Sequence, residues 1–469
     1  MRNPNSGMGW NNCFRQNRLS GISYGALCSV TYGYNFAQQI SSMNETIAGT
    51  ERRFVYEYDT RDQLTEETEW LNSGEWEEGP PNTYCYDNAQ NRISAVTTGQ
   101  GIHEYYGYSI ANKMTNIWRG SQSASSRYWY DLAGNLVTSI VKNVTNCYYY
   151  NVQNKLVKIV GTNFVNEFRY NSRNERIAVG IGPSTNSLVW RYDACQGPVT
   201  LAEFNINNEM TRWYVRGLGV AAGIGDVIAE VEVLDSPAKP HYYLSNHRGD
   251  TLVVLNPDGA ANSTFRYDAF GNCYEKTGTF TPRYTFSTKE YLTNAKLYLY
   301  AYRVYDPIAG RWTQRDPIDY QDSLNLYQFC GNNPVSRQDP VGLAVIENQT
   351  PDPIEVEGGP GVLQGHDGPS EKATLLPGQS IGRDSPKTGD AGGAITDADR
   401  INGTRVSGDD LFPVITVKGY VEIMPGYYMS MPGGKTVYEL NVIATVLGAI
   451  QSGAERLGNW LGDLSTRFF

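Results

Sequence analysis

A mainly β fold, built from repeated hairpins and followed by a small β-rich C-terminal domain that ends in an α-helix, is what this 469-residue sequence predicts. Three observations carry that expectation. The chain holds 34 Tyr against 14 Phe, and Tyr suits half-buried strands whose ring packs while its hydroxyl stays wet. An aromatic residue, any residue, then Tyr followed by Asp or Asn recurs along the first half. The composition also breaks near residue 343: thirty of the 34 Tyr precede it, while 20 of the 48 Gly follow it. Charge divides at the same place, with 30 basic and 33 acidic residues before Ala344 (net -3) and 9 and 16 from there on (net -7).

Residues 1–30 read as a lead-in, MRNPNSGMGWNNCFRQNR having no apolar h-region and therefore no Sec-type signal. Residues 31–212 carry the repeats: Tyr32-Gly-Tyr34-Asn35, Tyr56-Glu-Tyr58-Asp59, Tyr84-Cys-Tyr86-Asp87, Tyr106-Gly-Tyr108-Ser109, Tyr128-Trp-Tyr130-Asp131, Tyr148-Tyr-Tyr150-Asn151, Phe168-Arg-Tyr170-Asn171 and Trp190-Arg-Tyr192-Asp193. Successive second tyrosines lie 24, 28, 22, 22, 20, 20 and 22 residues apart. An aliphatic residue or Met follows six or seven positions later, at Ile40, Leu64, Ile93, Met114, Leu136, Leu156 and Ile177. In YWYDLAGNLVTSIV (128–141), Tyr128 and Tyr130 are two apart and share a strand face. Asp131 accepts a hydrogen bond from backbone two residues on, and Gly134-Asn135 supplies the φ > 0 positions of a tight turn. Leu136, Thr138 and Ile140 then alternate along a returning strand. Such a hairpin cannot bury its aromatic face alone and must stack on its neighbours, so the Tyr stripe reads as packing rather than ligand binding. Residues 213–264 read as linker strands.

Composition excludes several classes of function. A net charge of -10 does not suit a basic nucleic-acid binder working by phosphate neutralisation. The seven Cys are widely spaced without a CxxC pair, so neither a zinc site nor a disulfide framework is expected. The segment after residue 343 has one His, His366, and no Cys, which excludes HNH-type nucleases and zinc deaminases as normally built. GGKT (433–436) lacks the first Gly of a P-loop, Met429 standing there, and Asp397-Ala-Asp399 lacks the Gly and closing Glu of an EF-hand loop. Gly217-Leu-Gly219 with Ala222 is flanked by strand-like segments rather than opening a helix. No cofactor and no metal is therefore expected.

The tail divides in two. Residues 344–438 form a variable Gly/Pro-rich β domain, rich in loops until PVITVKGYVEIMPGYYMSMPGGKTVY (413–438) alternates as two or three strands. Residues 439–469 form an amphipathic helix: Leu440, Ile443, Leu447, Ile450, Ala454, Leu457, Leu461, Leu464 and Phe468 make one stripe. Packing on the shell or on a partner, membrane contact, and dimerisation compete as its role. The uncharged run 440–454 has 15 residues, short of the about 20 a spanning helix needs, so no clear transmembrane segment is expected.

FRYDAFGN (265–272), YTFSTKEYLTNAKLYLYAYRVYDPIAGRWTQRDPIDY (284–320) and NLYQFCGNNPVSRQDPVGL (325–343), with HYYLSNHRGDTLVVLNPDG (241–259) upstream, resemble the Rhs family. The hairpins are similar to its YD repeats and residues 265–343 to its Rhs repeat-associated core. The resemblance covers roughly residues 30–343. It implies a sheet spiralling into a shell, as in Tc-toxin C subunits and teneurins, which in bacterial members encloses a variable C-terminal toxin beginning after DPxGL. It further implies self-cleavage between Leu343 and Ala344, with Asp316 of DPID and Asp339 of DPVGL as catalysts and Arg315 beside them. Two carboxylates brought together share a proton, one acting as base toward water and the other donating to the carbonyl. The alternative is that both Asp-Pro pairs open type I turns. Asp319 stands where the family usually has Gly, which puts a third acid near the site. Because family shells are much longer than 343 residues, the expected form is a curved, open, partial shell.

The function expected is a polymorphic-toxin-like Rhs shell protein, or a C-terminal fragment of one, whose cargo is its own C-terminal domain. Immunity or delivery proteins are its expected partners, nucleic acid is not, and aspartate-dependent autoproteolysis is the one enzymatic activity foreseen. Membrane contact by the C-terminal helix and a secreted or cell-surface location, by an export route not encoded in the chain, complete the expectation. A structural or adhesive surface protein without catalysis, and a membrane-targeting effector tail, are the alternatives.

Overall fold

The computed structural model describes residues 10–343, apart from short gaps at 16–17, 98, 100, 121–123, 197–198, 218–226, 234–237, 322 and 340. Beyond residue 343 it describes only the short strands Val345–Glu347, Ile354–Gly358, Glu371–Leu375, Ser380–Gly382, Arg400–Ile401, Thr404–Arg405 and Ile415–Thr416. The chain divides into two compact units, residues 1–427 and 428–469. The second, with the helix expected over 439–469, lies outside the described residues.

Among the described residues of the first unit, 25 strands form one antiparallel sheet, from Trp10–Arg15 to Cys273–Gly278. Each strand pairs with its neighbours in sequence, and Trp76–Glu78 is added as a short hairpin beside Leu64–Asn72. The two terminal strands pair only with Arg18–Tyr24 and Ala261–Tyr267, so the sheet is open and is not a barrel. It runs without a break across residues 30, 212 and 264, the boundaries expected between lead-in, repeats, linker and core.

The repeat owes its geometry to one bulge and one turn. In 128–141, Tyr128 faces Ser139 and Trp129 faces Thr138, but the register then shifts and Tyr130 faces Leu136. The same shift precedes Tyr34, Tyr58, Tyr86, Tyr108, Tyr150 and Tyr170. The first aromatic of each of these seven pairs is buried, and the second packs partly buried against the same core; Trp190 and Tyr192, both half-buried, lie outside it. In four of these repeats the second tyrosine's hydroxyl is not wet, as the composition suggests, but donates to backbone of the preceding repeat. Tyr58 reaches the Ile40 carbonyl at 2.6 Å, Tyr86 that of Leu64 at 2.8 Å, Tyr108 that of Arg92 at 2.8 Å and Tyr170 that of Leu156 at 2.8 Å. Each acceptor lies six residues after the previous repeat's second Tyr. At these four positions Tyr is favoured over Phe because the hydroxyl ties one hairpin to the next, each bond contributing about 0.5–1.5 kcal/mol.

The turn is a five-residue loop closed by its first and last side chains. Asp131 Oδ1 accepts the Asn135 N–H, four residues on, at 2.8 Å, and Asn135 Nδ2 returns to Asp131 Oδ2 at 2.9 Å. Only Gly134 takes a positive φ, +88°; Asn135 is instead buried, and its amide also donates to Asn154 Oδ1 of the next turn at 3.0 Å. Gln39 to Asp62 and Asn91 to Asn112 repeat that link, making a side-chain ladder from turn to turn. The position six after the second Tyr is the inward-facing one. Where it is Arg92 or Arg176, alternation sends the aliphatic neighbours Ile93 and Ile177 outward, 41% and 36% exposed, against the expectation of an apolar contact there. Arg92 lies over the rings of Tyr106 and Phe270, and Arg176 pairs with Glu290.

Residues 279–343 pack against this row of turns. Four short strands, Glu290–Leu292, Leu297–Leu299, Val304–Asp306 and Arg311–Trp312, form a second sheet around an aromatic core that includes Phe286, Tyr298, Tyr305, Trp312 and Phe329. The turns offer backbone to it in chain order. Arg311 donates to the Asn112 carbonyl at 2.5 Å, Tyr327 to that of Gly134 at 2.8 Å and Gln314 to that of Asn154 at 2.6 Å, while Leu136 N–H donates to Thr313 at 2.9 Å. The last strands of the large sheet also meet its first ones side chain to side chain. Arg266 pairs with Glu45 at 2.8 Å and with Glu275; Arg52 pairs with Glu275 at 2.6 Å and with Glu69.

Candidate functional site

The strongest convergence of charge on backbone lies where residues 303–343 double back on themselves. Arg303 is the lone cation in the aromatic run LYLYAYRVYDP (297–307), so burying that run forces its guanidinium to find partners inside. It is buried against the face of Trp312, 4.2 Å from the ring centroid. One amino group pairs with Asp316 Oδ2 at 2.7 Å; the other donates to Asp339 Oδ2 at 3.1 Å and to the Leu343 carbonyl at 3.3 Å. Its Nε donates to the Gly342 carbonyl at 2.7 Å. One planar fork thus holds two carboxylates and two consecutive carbonyls, a task suited to arginine and not to lysine.

The acids are fixed as firmly. Asp339 Oδ1 accepts the N–H groups of Val341, Gly342 and Leu343 at 3.3, 2.7 and 3.0 Å. Gly342 sits at φ +89°, and a Cβ there would come within 3.1 Å of the Arg303 nitrogen, so the turn requires glycine. Leu343 is 0% exposed, its side chain among Ile318, Val341, Ala301 and Tyr302. Asp316 Oδ1 accepts the Ile318 N–H at 3.1 Å, and its own carbonyl accepts from Asp319 at 3.1 Å. The turn geometry of Asp316-Pro317 is therefore present, and its side chain reaches the cradle as well.

Burial is the largest influence on both acids. It pushes Asp316 up to about 6, opposed by Arg303 and the Ile318 N–H and assisted by the charge of Asp339. Asp339 is raised by burial too, against Arg303 and its three N–H donors. Lys289, buried over the Tyr300 ring, is pushed down to about 7 by burial and by Arg216, with Asp339 acting the other way. A near-neutral acid that shares a guanidinium with a polarised carbonyl is an arrangement that can serve hydrolysis of an amide.

Of the residues expected at this site, the structure brings together Asp316, Asp339 and Leu343. Ala344 lies outside the described residues. Arg315 does not join them: adjacent residues of an extended chain point opposite ways, and its guanidinium pairs with Asp319 at 2.7 Å, both side chains well exposed. The arginine of the site is Arg303, thirteen residues upstream of Asp316. Nor is Asp319 a third acid in the cradle; it lies at φ +57°, the conformation that explains why glycine suits that position. Among the described residues there is no cluster of metal-ligating side chains and no helix long and apolar enough to cross a membrane.

The teneurin YD-shell family model matches residues 22–335. The putative uncharacterized protein YibJ of Escherichia coli K12 is 31% identical over 145 residues, which are 30% of this chain and 60% of YibJ. Toxin subunits YenC2 and YenC1 of Yersinia entomophaga are 47% and 50% identical over 51 and 48 residues, 11% and 10% of this chain and 5% of each of theirs. Among solved structures, that of TcdB2-TccC3-TEV superposes with a TM-score of 0.49 at 19% identity, over 70% of this chain and 19% of the other. The chain thus spans three fifths of YibJ and a small part of the toxin subunits.

Proposed function

The chain belongs to the teneurin YD-shell family, and we propose that it acts as a toxin-type shell which cuts itself after Leu343 and so frees the segment beginning at Ala344. The observation that carries this reading is the contact of Arg303 with the Leu343 carbonyl, between two buried aspartates. Arg303 draws electron density from that carbonyl and stabilises the oxyanion that forms on it. Asp316, held at about 6, takes the proton from the attacking water and returns it to the departing Ala344 amine. Asp339 fixes the carbonyl's position through the three N–H groups and balances Arg303. The segment 344–469 is the cargo, and delivery between cells, with a delivery or immunity partner, is the setting in which such a cut has use. Family membership and the similarity to Yersinia toxin subunits support that setting.

Expression of the full chain tests the reading: gel and intact mass are expected to resolve two pieces, the smaller of 126 residues. Asp339→Asn keeps an acceptor for the turn and removes the charge; Asp316→Asn removes the base. Both are expected to leave the chain whole. A wild-type chain that also stays whole overturns the proposal and leaves a structural or adhesive shell.

A further inference from the structure

We propose that one rim of the large sheet docks on an anionic lipid surface, through the tips of the turns that follow each second Tyr. The inference stands apart from the cleavage reading and uses none of its residues.

The turns at 35–39, 59–63, 87–91, 109–113, 131–135, 151–155 and 171–175 lie along one edge of the sheet, since each joins a strand to its antiparallel partner at the same end. In each, the N–H of the first residue donates to the carbonyl of the fifth, which leaves the second and third residues as an exposed tip. Four tips carry a large apolar side chain that stands clear of the protein: Val152 is 99% exposed, and Phe36, Ile110 and Leu132 more so. Scattered singly, such residues need no explanation. Here Ile110, Leu132 and Val152 hold the same position in three consecutive turns.

Charge selects the partner. The chain has a net charge of -10, yet no Asp or Glu stands at any of these tip positions, whereas Arg61 and Arg173 do. Arg61 leans on Asn88 of the next turn at 3.0 Å, and neither arginine is ion-paired among the described residues. The acids of the turns are drawn inward, Asp59, Asp87 and Asp131 each accepting the N–H four residues on. Asp62, in fourth place, pairs with Arg337 at 3.3 Å. Asp319 of the core pairs at 2.7 Å with Arg315, which lies over Gly134.

The spacing favours lipid over protein. Neighbouring turns are two strands, about 10 Å, apart, and polar closing residues lie between the tips. A protein would need a separate pocket for each side chain, whereas a fluid headgroup layer admits each independently and its negative charge attracts the arginines. The row is also fixed in advance. The three apolar consecutive turns are those whose carbonyls the core grips, through Arg311, Gln314 and Tyr327. Lys113 donates to the Asp131 carbonyl at 3.1 Å and Asn135 to Asn154 at 3.0 Å, linking each of the three to the next. Little ordering is left to be done on docking.

The test sediments the full chain with vesicles of phosphatidylcholine and phosphatidylserine, and with vesicles of phosphatidylcholine alone. Wild type is expected to bind the mixed vesicles several-fold more tightly. The triple variant Ile110→Gln, Leu132→Gln, Val152→Gln is expected to weaken binding roughly 30-fold. Arg61→Gln with Arg173→Gln should remove the preference for phosphatidylserine. Ile206, also exposed, lies in a turn on the opposite edge, and Ile206→Gln is expected to bind as wild type does. Thermal melts of all variants should match wild type, because the side chains replaced hold no packing. A wild-type chain that sediments with neither vesicle would overturn the proposal. A triple variant that binds like wild type would also overturn it, by placing binding elsewhere in the chain, as would equal losses in the triple variant and Ile206→Gln. Equal binding of wild type to both vesicles would overturn the anionic assignment. Self-association of wild type that the triple variant loses, with no vesicle binding, would make the rim a surface between copies and remove the lipid reading.

Discussion

Two of the arginine–carboxylate clusters in this molecule differ in their partners. At the seam between the first and last strands of the large sheet, Arg52 and Arg266 meet Glu45, Glu69 and Glu275, all through side chains. In the cradle, Arg303 meets Asp316 and Asp339, but it also donates to two peptide carbonyls, and Asp339 accepts from three peptide N–H groups. The seam therefore joins strands more than 200 residues apart and touches no bond that could be cut. The cradle spends the same chemistry on a five-residue turn and leaves a carbonyl polarised. Between these two clusters the difference is the peptide carbonyl on the guanidinium and the fuller burial of the cradle's acids.

Exchanging the arginines sharpens that contrast most. Arg303→Lys keeps the charge and loses the fork, and it is expected to slow cutting by on the order of 10²-fold, as loss of an oxyanion donor does. Arg266→Lys is expected to leave the rate unchanged, and cleavage time courses of the two variants compare them directly. A normal rate in Arg303→Lys would make the cradle as structural as the seam.

Removing the seam arginine should act on stability alone. Arg266→Ala strands the buried Glu45 and is expected to cost about 3–5 kcal/mol in a denaturant melt, with the cut position unmoved. Gly342→Ala comes next. Its backbone is held at φ +89° and the added methyl meets Arg303, so a cost of about 1–2 kcal/mol is expected at the turn, read as slower cutting of the same bond. Tyr58→Phe, which removes a hydroxyl that bonds to neither cluster, should cost only about 0.5–1.5 kcal/mol and leave cutting untouched.

Acidity separates Asp316 from Glu275 in sign, whereas Glu45 at the seam is raised by burial as Asp316 is. Asp316 has its value raised by burial, so the folded state holds its proton longer than the unfolded chain does. Its contribution to stability is full below about 4, the unfolded value, and falls away as pH rises through about 6. Glu275 at the seam is held low by its hydrogen bond to Arg52 and the charges of Arg266 and Arg52, against the opposing pull of burial. Its contribution is present above the ordinary carboxylate value and is lost as pH falls through the folded one. Cutting, which needs Asp316 ionised, should rise with pH through about 6 and level off above it, as a pH–rate profile would record.

Much of this was legible in the sequence, for identifiable reasons. The period of Tyr34, Tyr58, Tyr86 and their successors reports hairpins directly, because each pair must share a strand face. The two aspartates and Leu343 were legible only through family resemblance. The bulge before each second Tyr was not, since an extra residue in one strand leaves no mark in a period of about 20–28. Without it, the tyrosine hydroxyls are sent to solvent, and Ile93 and Ile177 are given the buried slot that Arg92 and Arg176 occupy. Arg303 escaped because Arg315 is nearer in sequence to Asp316, whereas the returning strand Val304–Asp306 brings position 303 to the site. Its isolation among tyrosines was the available signal.

The most direct measurement is the mass of the two ends made when the full chain is expressed. One piece is expected to end at Leu343 and one to begin at Ala344, with a single uncut mass for Asp339→Asn. A whole wild-type chain, ends at any other bond, or cutting that persists in Asp339→Asn would contradict it.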